Sequence, residues 1–563
     1  MNNLNIKLGT LILVFSLIVG GCKDLDEIND NPNGVSPSNA NVNMLMPTVL
    51  VGVGQNILNL GYQDLAGVVQ HTQKDGWNGG HNHYDWGLQD WSGWYGLLRT
   101  NQFMIQRAEE TNSPFHKAVG LTMKSLIFGM ITDLWGDAPY TKALQGSQPG
   151  LENQLPAFDS QEVIYRGIIE DLKAASVIFA SANNASVIAQ YDVYFGGNVT
   201  RWHKFANSLL LRYSMRLSEK IPALAKSGVE QVVSSGVYIS DASEDVVMDF
   251  IGASAGDSWP TAASFDAGSN FRRLKPSTTL LNPMLENQDP RVRVWFREVH
   301  CQWVEDKTLS TATDPFIRRN GVLQQGTVSL TDDQYVAQIA AGNKFTRHYN
   351  PDLLGYKLDT RNYVGLPPGL VAPSEHNRNP TPGQTLENQH ASQLADVYRQ
   401  AKHALLKARI ISASEVYFIL AEAALKGYSA GNAESHYQNG IRASLKTWGV
   451  DNRFADFIAQ PKVKFNGTIK QVIEQKWIAS WTNAGEAWFD FRRTGFPELK
   501  PGPASPEPVL PVRFIYGGNE INFNNNEVTK AINRLEVTPY EGGRGANNQW
   551  SKTWITQGTN KPW

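Results

Sequence analysis

The chain has 563 residues and nearly balanced charge, 51 Lys and Arg against 53 Asp and Glu for a formal −2, so it lacks the basic field that a nucleic-acid binder needs. Two cysteines, Cys22 and Cys301, exclude a disulfide framework, and with 41% hydrophobic residues but no second long apolar run after the N-terminus the body is expected to be globular and to span no membrane. Sixteen tryptophans are a surplus that points toward flat ligands or sugars.

Residues 1–21 hold one cation, Lys7, then an apolar stretch from Leu8 to Val19, then Gly20 and Gly21 ahead of Cys22. About a dozen apolar residues fall short of the ~20 that cross a bilayer, so the segment reads as a secretory signal cut before Cys22, whose thiol then carries lipid. Lys23, Asp24, Asp26 and Glu27 follow, and 22–40 is read as a charged tether. The rest, 41–563, is expected to be a single domain, since no linker divides it.

Helical spacing comes next. Val119, Met123, Leu126, Ile127, Met130 and Leu134 draw one stripe, Ile164, Ile168, Leu172 and Ala175 a second, with Asp159 or Ser160 as its cap. Trp202, Phe205, Ala206, Leu209, Leu210, Tyr213 and Leu217 draw a third. In Ser412 to Lys446 two helices meet at Gly427 to Gly431, with Ala421, Ala423, Ala433 and Tyr437 spaced as in a tetratricopeptide unit. The predicted fold is mostly α, with tetratricopeptide-like helix pairs, about four of them, in about 41–245 and 404–495. An irregular, loop-rich insertion is predicted over about 246–403, and an irregular C-terminal segment over 496–563.

Chemical motifs are few. Gly252 to Gly256 spell the G-x-S-x-G of a nucleophile elbow around Ser254, but Pro260 follows too soon for the helix that an elbow requires. No H-E-x-x-H and no cysteine pair suggest zinc, and no third ligand joins His81 and His83, so neither a metal nor a cofactor is expected. Asn29 to Gly34 mimic the start of a calcium loop without its Asp or its bidentate Glu. Asp133 and Asp137, or Glu486 and Asp490, could pose as catalytic pairs; helix-end hydrogen bonds and pairing with Arg492 or Arg493 explain them better. No catalytic residue is assigned.

Several segments together resemble the SusD/RagB family of outer-membrane nutrient-binding lipoproteins, in its SusD-like branch. They are Leu25 to Asn33, Thr132 to Tyr140, Asp289-Pro290-Arg291 with Trp295-Phe296, Tyr363 to Gly369, Phe418 to Gly427, and Gln475 through Arg493 to Pro497. The segment Pro511 to Tyr516 departs from the family's pattern, which leaves the packing near Arg513 open. The resemblance implies helix pairs with a loop-rich insertion, a lipid-anchored place on the outer membrane exposed at the cell surface, and a SusC-like TonB-dependent transporter as partner. It also implies nutrient binding rather than catalysis.

Sugars lay their C–H faces on aromatic rings and give their hydroxyls to amides, carboxylates and guanidinium groups. Aromatics on polar loops are therefore the candidates: Trp77, Tyr84 and Trp86 with His81 and His83 in Asp75 to Asp90, then Trp259 and Trp303 from the insertion. Trp91, Trp94 and Tyr95 are read as packing residues, and Arg272 could grip a carboxylate or a peptide terminus. An oligosaccharide is the expected ligand; a peptide receptor, a serine hydrolase using Ser254 and a ligand-free adaptor are the alternatives.

Overall fold

The computed structural model describes residues 39–76, 78–182, 187–260, 273–325, 330–377, 388–559 and 561. The predicted signal, Cys22, the tether up to residue 38, Trp77 and Arg272 lie outside them.

Helix α1 (Val42–Tyr62) starts on an Asn41 cap and leads to a short strand, β1 (Thr72–Lys74). Helices α2 (Ser92–Glu110) and α3 (Pro114–Trp135) follow, joined by three residues and so packed antiparallel. Helix α3 stops at Gly136, whose φ of 100° takes the chain out of the helix at the expected residue. Strand β2 (Ala138–Pro139) pairs with β3 (Phe158–Asp159), and the chain between them makes an excursion over α2.

Ser160 caps α4 (Gln161–Ser181), while Asp159, the other candidate cap, accepts instead from the backbone N–H groups of Tyr140 and Thr141 at 3.1 and 2.7 Å. Helix α5 (Val199–Arg216) buries the whole Trp202-to-Leu217 stripe, and α6 (Pro222–Ser235) folds back on it. Each helix from α1 to α6 thus packs on its successor.

The insertion is more ordered than its composition suggests. It contains β4 (Val246–Met248), β5 (Leu274–Pro276), which pairs with β1, and α7 (Thr278–Glu286). A four-stranded sheet follows in the order β6-β9-β7-β8, made of β6 (Cys301–Glu305), β7 (Arg318–Arg319), β8 (Val322–Leu323) and β9 (Phe345–Tyr349), with α8 (Asp332–Ala340) between β8 and β9. Strands β6 and β9 run parallel and alternate buried with half-buried residues, giving the insertion two small cores around Tyr335 and Trp303.

Strand β10 (Ala408–Ile411) pairs with β4 and returns the chain to the helices. Helices α9 (Ala413–Leu425) and α10 (Ala433–Thr447) form the predicted hairpin, with Gly427 and Gly431 at φ 77° and 95°. A Cβ at Gly440 would come within 3.0 Å of the Phe418 ring, so glycine is what lets the two helices touch. Helices α11 (Ile469–Ala479) and α12 (Ala484–Thr494) complete the scaffold. The last segment is less irregular than expected, since it carries α13 (Gly518–Phe523) and α14 (Asn525–Asn533). The fold is mostly α, as predicted.

Two helical stretches, Val42–Val68 and Pro114–Trp135, are long and apolar enough to cross a membrane, which the sequence reading passed over. The second is 89% buried within the molecule and serves as its central core helix.

A buried charge network locks the two groups of helices. Arg212 pairs with Glu415 at 2.7 Å, Arg216 with Glu486 at 2.6 Å, Lys476 with Asp490 at 2.6 Å and Arg493 with both Glu422 and Asp490. Arg492 donates to the carbonyls of Val512 and Asp133 at 2.7 Å each. Burial pushes the Asp133 carboxyl up and the Arg492 guanidinium down to about 10; at Glu486 burial is outweighed by Arg212 and Arg216, which hold it below the usual range. Asp133, Glu486 and Asp490 are thus structural. Removing one member of such a network strands a buried charge, at a cost of roughly 3–5 kcal/mol.

Candidate functional site

The β1–β5 pairing builds a corner from which two predicted ligand-contacting segments depart. Asp75 N–H donates to the Arg273 carbonyl at 3.0 Å, so the chain leading to Trp77 and the chain arriving from Arg272 share one point. The Asp75 carboxylate is buried there, 3.4 Å from Arg273 Nη1, 3.7 Å from Lys275 Nζ and 2.9 Å from the backbone N–H of Asn388. Arg273 lies close over Gly76, where a Cβ would sit 2.4 Å from its Nη1.

The other candidates divide sharply by burial. His83 stays half-exposed, with Nε2 3.1 Å from the Leu370 carbonyl. His81 is buried, Nε2 lying 3.0 Å from Thr72 Oγ1, and burial with nearby Lys74 holds its pKa well below the usual imidazole range. Tyr84, at φ 59°, is fully buried, and its carbonyl accepts from Gln549 Nε2 at 2.5 Å. Trp86 packs edge-on against Phe514 and Trp488, with ring centres 5.3 and 5.9 Å away. The C-terminal segment comes back across this loop: Ile515 N–H donates to Gln89 Oε1 at 3.0 Å.

The insertion's tryptophans are enclosed as well. Trp259 is packed among Phe250, Tyr398 and Tyr62. Trp303 stacks on His390 at 4.4 Å and donates through Nε1 to the Asn377 carbonyl at 2.9 Å. As placed, His81, Tyr84, Trp86, Trp259 and Trp303 offer no open ring face to a ligand. His81, Tyr84, Trp86 and Trp259 pack around the corner, and Trp303 belongs to the insertion's own core.

Ser254 is no nucleophile elbow. It is the cap of one 3-10 turn, its side chain accepting from Asp257 N–H while the Asp257 carboxylate accepts back from Ser254 N–H at 2.7 Å. Among the described residues no group of three His, Cys, Asp or Glu could hold a metal. Cys301 is buried, which pushes its thiol up to about 12 and leaves it inert.

Among the described residues, motifs carrying the family resemblance make scaffold contacts. Arg291 forks onto Asp289 and donates to Ser444 Oγ at 2.8 Å, tying the insertion to α10. Leu366 N–H donates to the Pro276 carbonyl at 2.8 Å, and Gly369 N–H to Gln73 Oε1 at 2.9 Å, clamping the 363–369 segment to the β1–β5 corner. Arg513, whose packing the sequence left open, is buried against the Tyr516 ring and donates to the Asn548 carbonyl at 3.1 Å.

The sequence model of one family, described as starch-binding and associating with the outer membrane, matches residues 34–311 and 357–517. The chain belongs to the SusD-like family. Solved structures share its fold. A SusD homologue from Bacteroides fragilis aligns at TM-score 0.69 and 18% identity, covering 92% of this chain and 100% of its own. A chitin-binding SusD homologue from Flavobacterium johnsoniae aligns at 0.63 and 20%, covering 91% and 99%. A protein described as chitin-binding aligns at 0.67 and 22%, covering 92% and 99%. A search of curated proteins returned no match.

Sequence reasoning missed a cleft of about 900 Å³ on this SusD-like chain, between α2, the β2–β3 excursion and α13. Tyr95, assigned to packing, stands half-exposed at its wall. The one local signal was Gly96, which thins out that face of α2.

Proposed function

We propose that this SusD-like protein is a cell-surface lipoprotein, anchored through Cys22, that captures an oligosaccharide and delivers it unchanged to a SusC-like TonB-dependent transporter. The match to a family described as starch-binding and outer-membrane-associated carries the reading. The two chitin-binding relatives of the same fold agree with it. Ser254 spent on a turn cap, and carboxylates spent on buried ion pairs, favour binding over hydrolysis.

His83 at the β1–β5 corner, and Trp77 and Arg272 carried over from the sequence, are the proposed ligand contacts, while His81, Tyr84, Trp86 and Trp259 serve packing. The test is a melting-temperature screen of the mature chain against neutral glycans and short peptides. A ligand that binds only the folded state raises the midpoint, by about 2.7 kcal/mol of stability at a hundredfold excess over Kd. Glycans are expected to raise it; a shift with peptides alone overturns the oligosaccharide reading.

A further inference from the structure

The 900 Å³ cleft is set up before any ligand arrives, because its three walls are tied to one another. Tyr95 Oη donates to the Pro139 carbonyl at 2.7 Å, joining α2 to β2. Trp91 Nε1, at the foot of α2, donates to Glu520 Oε1 of α13 at 3.0 Å. Asn524, just past α13, donates through Nδ2 to the Pro156 carbonyl at 2.9 Å and so joins α13 to the excursion. A cleft held this way loses little conformational freedom when filled. Its volume sits at the upper end of the ~300–1,000 Å³ of ligand pockets, room for more than one sugar ring.

The lining is neither a hydrophobic groove nor a charged one. Tyr95, Phe103 and Phe523 supply rings, and Phe523 is 74% exposed, an apolar face left in water. Gln102, Gln106 and Asn519 supply amides that donate and accept. Arg99 is offset by Asp90 and Glu520, so no surplus of positive charge is present to collect a carboxylate or phosphate. Burial raises the Glu520 carboxyl above its usual range, with Asp90 adding to the shift, so the site resists more negative charge. A peptide adding as a strand would find little to pair with, since β2 and β3 are two residues each and Pro139 has no N–H to donate.

We propose that this cleft is a second saccharide groove, distinct from the β1–β5 corner, which takes an uncharged oligosaccharide by laying C–H faces on Tyr95, Phe103 and Phe523 while Gln102, Gln106 and Asn519 take the hydroxyls. It rests on the reading that the ligand is a sugar and adds a site to that reading. Two such sites on one rigid body would hold a long glycan with an affinity above that of either alone.

Gly96 provides a clean test. It lines the cleft on α2, and a Cβ built there meets nothing within 4 Å, so a large side chain would fill the groove without entering the core. Replacing a helical glycine also favours the helix. The mature chain, Gly96→Trp and Phe523→Ala would be titrated calorimetrically with maltohexaose, cellohexaose, chitohexaose and tetragalacturonate. The expected result is that both variants keep the wild-type melting temperature yet raise Kd at least tenfold, or lose one of two binding steps, for a neutral glycan that wild type binds, while tetragalacturonate fails to bind the cleft. Unchanged Kd and stoichiometry in both variants, for every glycan bound, would overturn the groove and leave the oligosaccharide function standing. Absence of binding by wild type to any glycan would overturn both.

Discussion

The β1–β5 corner and the α2–α13 cleft use aromatic rings in opposite ways. Trp86 and Trp259 at the corner, and Trp303 in the insertion beyond it, come from stretches that look like polar loops, yet each is enclosed by protein. At the cleft, Tyr95, Phe103 and Phe523 lie on helices, where rings ordinarily pack, yet they line open space. A loop's exposure is set by what returns over it: Phe514 and Trp488 cover Trp86 from more than 400 residues away in sequence. The helix rings line open space because α13 and the β2–β3 excursion wall the cleft without filling it, and Gly96 adds no side chain to it.

The strongest way to break this contrast is to remove a corner ring. Trp259→Ala should lower the unfolding free energy by about 3–5 kcal/mol in urea, the cost of emptying a packed aromatic site. A loss under about 1 kcal/mol would mean the indole is a ligand platform after all.

The corner should also carry a pH signature of its own, from a buried histidine. His71 lies between Trp477 and Trp481, with Nε2 2.9 Å from the Trp477 carbonyl, and burial pushes its pKa down to about 4. The unfolded chain takes up this proton below about pH 6.5 and the folded chain does not. Stability present above pH 6.5 is therefore lost as pH falls toward 4, by on the order of 3 kcal/mol from this group. His71→Gln should flatten the slope of stability against pH between 4 and 6.5; an unchanged slope would contradict the assignment.

Smaller still is the expected effect on stability at the cleft. Phe523→Ala should shift the unfolding free energy by no more than about 0.5 kcal/mol, because the ring is exposed. Its consequence belongs to affinity alone. Cys22→Ala should change neither quantity, and should release the protein from membranes in cell fractionation; a loss of glycan affinity in that variant would show the tether takes part in binding.

Much of the scaffold was legible because its signals are local. The Trp202-to-Leu217 stripe, the turn at Gly136 and the Gly427–Gly431 hairpin follow from side-chain period and from backbone angles that glycine tolerates best. The sheet in the insertion was not, although Phe345-Thr346-Arg347-His348-Tyr349 does alternate: its strands are at most five residues long, and Arg347 sits on the buried side, where a charge disguises the pattern. The candidate site was legible only as chemistry. Loop tryptophans could be recognised as a set, but their burial depends on Phe514, Tyr398 and His390, which no spacing links to them. Tyr95 does pack, against Trp91 and Phe128, but the cleft it also borders went unseen, since α13 and the β2–β3 excursion, which wall it, come from distant chain.

The central claim is that this SusD-like chain binds a glycan and leaves it intact. The most direct test incubates the mature protein with a neutral hexasaccharide and reads saturation by calorimetry and the sugar by mass spectrometry in the same sample. Saturable binding with every hexasaccharide recovered at its starting mass is the predicted result. Shortened products that disappear in Ser254→Ala, or no saturation with any glycan, would contradict it.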